Sequence, residues 1–113
     1  MNDKELLTLA AKAAGIKGRW FKNEFWLGIQ VVFIGNDDVK FWNPLTDDGD
    51  ALRLAVKLGL DVFHFDFKEP KGMQVWAAKP GNEAIRELLG NDPYAATRKA
   101  IVRAASEIGR GMG

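Results

Sequence analysis

Apolar positions first recur at helical spacing. Leu6, Leu9, Ala10, Ala13 and Ala14 fall on one side of an opening helix that Asp3 caps and Gly15 stops. From Gly18 the period changes to two, and Arg19 to Lys22 and Phe25 to Ile34 flank the polar break Asn23-Glu24, which predicts a hairpin. On the longer strand Phe25, Leu27, Ile29, Val31 and Phe33 share one side, and Trp26, Gly28, Gln30, Val32 and Ile34 the other. Both sides are largely apolar, so cover on both faces is expected. Gly35-Asn36-Asp37-Asp38 is a turn, and Val39 to Trp42 returns as a further strand.

Asn43-Pro44 ends that strand, and Thr46 or Asp47 caps a second helix reaching Leu58, with Leu52, Ala55, Val56 and Leu58 as its buried stripe and Gly59 as its stop. Asp61 to Phe67 alternates as a half-buried strand, with Phe63, Phe65 and Phe67 on one face and Val62, His64 and Asp66 on the other. Glu69-Pro70-Lys71-Gly72 turns the chain into the strand Met73 to Ala78. Glu83 to Leu89 fits a short helix closed by Gly90. Asp92-Pro93 opens the last helix, whose buried face is predicted as Tyr94, Thr97, Ile101, Ala104, Ala105 and Ile108, with Gly109, Gly111 and Gly113 fraying its end.

The order α-β-β(-β)-α-β-β-α with tight turns predicts an α+β domain: a mostly antiparallel sheet of about four to five strands with helices packed on it. At 113 residues there is room for one domain, 1–113. A hydrophobic share of 47% supports a real core. Cysteine is absent, which excludes a disulfide framework and thiolate chemistry and fits a reducing cytoplasm. Charges interrupt the apolar pattern at the start, and no apolar run reaches the ~18 residues of a membrane span, so neither signal peptide nor membrane association is expected. Net charge is +1, but residues 1–23 carry +3, residues 24–70 carry −5 and residues 71–113 carry +3. An acidic middle between basic ends lets oppositely charged segments pack side by side.

The segment 42–60, opening Trp42-Asn43-Pro44-Leu45-Thr46-Asp47-Asp48-Gly49-Asp50, resembles the central block of a family of small bacteriophage and prophage proteins, the phage alpha-beta-alpha sandwich family. Residues 96–109 resemble that family's C-terminal helix and residues 5–13 its opening helix, so the likeness covers about half the chain. The resemblance implies a phage origin and a sandwich fold. It carries over no catalytic residue.

Chemical signals are sparse. Ser106 is the only serine and His64 the only histidine, so a Ser-His-Asp triad has no local support and Ser106 is expected on a helix surface. His64 and Asp66 share a strand face, which makes them the remote option for a small enzyme. Asp47, Asp48 and Asp50 around Gly49 depart from the EF-hand pattern and sit where a helix start uses carboxylates as caps. No phosphate-binding glycine loop is present, and no cofactor or metal is expected. Basic and aromatic residues interleave over Lys17 to Lys22, and Lys99, Arg103 and Arg110 fall near one face of the last helix. Trp20, Lys22, Trp26, Lys99, Arg103 and Arg110 are therefore the candidate interaction surface. The expected role is a non-enzymatic phage accessory protein that docks a second copy or a phage or host protein against the sheet of strand 25–34 or its edge, with single-stranded nucleic acid as a weak alternative.

Overall fold

The computed structural model describes residues 1–32, 39–68 and 72–112. Expectations for Phe33, Ile34, Gly35-Asn36-Asp37-Asp38, Glu69-Pro70-Lys71 and Gly113 fall outside them. The elements run α1 (Asp3–Ala14), β1 (Gly18–Lys22), β2 (Leu27–Val32), β3 (Val39–Trp42), α2 (Asp48–Leu58), β4 (Asp61–Asp66), β5 (Met73–Ala78), β6 (Ile85–Leu88) and α3 (Pro93–Gly111). The chain is α+β, with helices packed on antiparallel sheets as the alternation predicts. The strands number six and form two sheets, β1-β2-β3 and β4-β5-β6.

Local chemistry sets the boundaries. Asn2, rather than Asp3, caps α1 by accepting from the Glu5 N–H at 2.9 Å. Asp47 caps α2 through the Asp50 N–H at 2.8 Å, and Asp92 caps α3 through Ala95 at 3.1 Å with Pro93 at the first helical position. Segment 83–89 is not a helix, because Ile85 to Leu88 pairs with β5 in the register Gln74↔Leu88, Val75↔Glu87, Trp76↔Arg86 and Ala77↔Ile85. Its apolar spacing fits either period, and an open edge on β5 decides for the strand.

The helices form one packed group, with α1 lying mainly on α3 and α2 beside it. The first sheet turns Trp20, Ile29, Val31 and Trp42 toward α1, and this cluster takes in Leu7, Leu54 and Val102. The second sheet turns Val75 and Ala77 toward Ala100 and Ala104 of α3. Leu60 and Val62 touch both clusters. Each fully buried Leu or Val stabilises the fold by about 1.5–3 kcal/mol of apolar transfer.

Several expected core positions move. On α2, Ala51, Leu54, Ala55 and Leu58 are buried, whereas Leu52 and Val56 are exposed. On α3, Tyr94 is exposed, and Ser106, expected outside, is 1% exposed and donates to the Arg103 carbonyl at 2.8 Å. Gly109 belongs to α3 and does not fray it. A Cβ there would overlap the Leu9 carbonyl oxygen, so the bare glycine is what lets α1 and α3 cross closely. Gly28, at φ 149°, plays the same part where β2 passes the Trp42 carbonyl.

Candidate functional site

The Asn43-Pro44 junction organises the molecule's centre. Asn43 is 5% exposed, donates its Nδ2 proton to the Leu27 carbonyl at 2.9 Å and accepts from the Leu45 N–H at 3.0 Å. Its own N–H goes to Asp50 at 3.0 Å, and Asp50 also holds Arg53 at 2.8 Å. Asp48 pairs with Arg98 at 2.6 Å, and Arg98 in turn donates to the Leu45 carbonyl. The three aspartates are thus spent on capping and on tying α2 to β2 and α3. Among the described residues no group of His, Cys, Asp or Glu is assembled for a metal.

His64 and Asp66 make separate attachments. Thr97 Oγ1 donates to the Pro93 carbonyl at 2.8 Å, so in the 2.9 Å contact with His64 the imidazole Nε2–H is the donor. Asp66 accepts from the Lys68 N–H and pairs with the Lys68 ammonium at 3.3 Å. The strand face that carries both residues uses His64 to anchor β4 on α3.

The six candidate interaction residues fall in three places. Trp20 is half-buried on the helix-facing side of the first sheet, whereas Lys22 and Trp26 sit at the β1–β2 hairpin. There the Asn23 side chain accepts from the Phe25 and Trp26 N–H groups at 2.8 and 2.7 Å, and the 56% exposed Trp26 ring stacks on Phe41 at 5.4 Å. Lys99, Arg103 and Arg110 line a cleft of about 340 Å³ on α3, but Arg103 is bound to Glu87 at 2.7 Å and Arg110 to Glu107 at 3.5 Å. Those pairs largely neutralise the basic stripe.

What the candidate set omits is the outward face of β4-β5-β6. Strand alternation and register place Phe63, Phe65, Phe67, Trp76, Arg86 and Leu88 together there. Phe65 lies 5.9 Å from Phe63, 5.7 Å from Phe67 and 5.0 Å from Trp76, centroid to centroid. The Arg86 guanidinium sits 4.3 Å above the Trp76 ring, and the indole N–H donates to Gln74 at 3.1 Å. A shallow cavity of about 450 Å³ opens between Phe67, Trp76 and Leu88.

No family model, curated protein or solved structure matches this chain. The rings of the outward face stay partly open to solvent, Phe63 at 48%, Phe65 at 38% and Leu88 at 66%. The sequence already showed Phe63, Phe65 and Phe67 on one strand face. Half-buried patterning made the phenylalanines the expected inner side, but α3 takes the opposite face, which carries Val62, Val75 and Ala77, so the rings point outward. No helix among the described residues is long and apolar enough to cross a membrane.

Proposed function

We propose that this chain is a non-enzymatic protein-interaction module, in keeping with the phage accessory role that the resemblance implies, and that the outward face of β4-β5-β6 is its docking surface. A second copy of the chain is the occupant. The observation that carries this reading is the contiguous aromatic face itself. Its aromatic rings lie side by side and partly open to solvent, and Trp and Arg are the residue types that most often dominate binding energy. The face suits its own copy because its charges are few and opposed in position. Asp61 belongs to the Phe63 side of β4, and Arg86 lies on β6 across the sheet. A two-fold axis running along β5 places β4 of each copy over β6 of the other, so the Asp61 carboxylate approaches the partner's guanidinium.

Size sets the strength. Six residues by three strands measure about 20 by 14 Å, well below the ~800 Å² per partner of a stable complex. The association is therefore weak and reversible. Light scattering from micromolar to millimolar concentration tests it: the mass rises toward that of a dimer, and Phe65→Lys or Leu88→Lys holds it at the monomer with an unchanged circular dichroism spectrum. A monomeric mass across that range, or a dimer indifferent to both substitutions, overturns the reading.

A further inference from the structure

A second surface, independent of the aromatic face, is built from the opening helix and the strand after it. Lys4, Thr8 and Lys12 stand four residues apart on α1, hence on one stripe. After Gly15 the chain turns into β1, an edge strand, which brings Lys17 and Arg19 alongside that stripe. The four cations line one groove of about 840 Å³ together with Ile16 and Trp20, and among the described residues no carboxylate lines it.

None of these four cations forms an ion pair with another described residue, whereas Arg53, Lys68, Arg98, Arg103 and Arg110 all do. The helix explains only part of the arrangement. Lys12 lies in the last turn of α1, where the macrodipole favours a cation, but Lys4 lies near the first turn, where it does not. Like charges gathered without counter-charge repel, and a polyanion laid along them relieves that repulsion. The Trp20 ring adds the second element. Cations neutralise phosphates, an aromatic ring stacks on a base, and only an unpaired base has a face free for it.

We infer that the groove between α1 and β1 binds single-stranded nucleic acid, with phosphates on Lys4, Lys12, Lys17 and Arg19 and a base against Trp20. At about 0.7 released counterions per contact, four contacts give a log–log salt slope near −3, or roughly 50-fold weaker binding between about 50 and 200 mM salt.

The test is fluorescence anisotropy of a labelled oligothymidylate titrated with the full chain at several salt concentrations. Expected are saturable binding with that slope, a slope about halved in Lys12→Glu/Arg19→Glu, weaker binding in Trp20→Phe, and no change in Lys99→Glu, whose side chain lies in the α3 cleft. Lys12 and Arg19 are exposed, so the double variant keeps its fold, and circular dichroism checks this. Absence of binding at low salt, equal binding of a duplex, or indifference to the double variant overturns the inference. Charge-dependent binding that ignores Trp20→Phe and is matched by inorganic polyphosphate also overturns it, in favour of a plain polyanion site.

Discussion

Gly109 shows how a single hydrogen atom can decide helix packing. In an exposed helix Gly→Ala gains roughly 0.5–1 kcal/mol, but here the added carbon meets the backbone carbonyl of Leu9, which no rotamer change can move aside. The clash wins. Gly109→Ala is expected to lower stability by about 1–3 kcal/mol, while Gly111→Ala, where a Cβ meets nothing within 4 Å, is neutral or slightly stabilising in the same urea titration. Equal effects at the two sites would mean that the close crossing is absent. Asn43 is the polar counterpart. Asn43→Ala strands the Leu27 carbonyl and the Leu45 N–H in a buried junction and is expected to cost about 2 kcal/mol. A chemical denaturation midpoint close to the parent's would show that water replaces the amide. Asn43-Pro44 was legible as a strand end from its residue types, but its bonds to β2 were not, since they join residues far apart in sequence. Ser106 was misjudged for a related reason: a helical serine gives its proton to its own backbone and then packs as a small side chain.

At the scale of elements, strong periods were readable and short ones were not. α1, α2 and α3, the β1–β2 hairpin and the β4/β5 strands all follow from spacing and stop residues. Segment 85–88 was missed because Ile85 and Leu89, four apart, share a face in a helix and in a strand alike, and so short a stretch cannot separate the two. On α2 Ala55 and Leu58 are buried as expected, but Ala51 and Leu54 take the inner places given to Leu52 and Val56, which face out. The structure also shows what fastens β6. Glu87 points to α3 and meets Arg103, whose guanidinium also reaches the Arg86 carbonyl. Arg103→Ala is expected to lower stability by about 1 kcal/mol, less at high salt, and to speed amide exchange on β6 more than on β4. Uniform exchange across the sheet would contradict that local role. The aromatic face was half legible: alternation grouped the phenylalanines, but the choice of which face meets α3 is a tertiary one.

At the scale of the molecule, Leu60 and Val62 join the two apolar clusters, and α3 contributes to both. The chain is therefore expected to unfold in one transition, with near- and far-ultraviolet circular dichroism melting together. Two separated midpoints would show that the sheets are independent units. Cation placement follows a whole-molecule logic as well. Arg98, Arg103 and Arg110 pair with acids from α2, β6 and α3, whereas Lys4, Lys12, Lys17 and Arg19 form no ion pair among the described residues, which is why the α3 stripe anticipated from sequence loses its candidacy and the α1–β1 groove gains it. Docking across the outward face of β4-β5-β6 is tested most directly by an isotope-filtered nuclear Overhauser spectrum on a mixture of labelled and unlabelled chains. The expected result is intermolecular contact from the Phe63 and Phe65 rings of one copy to Leu88 and Arg86 of the other. Intermolecular contacts confined to other surfaces, such as the Phe25-Trp26 hairpin, or none at the highest attainable concentration, would contradict it.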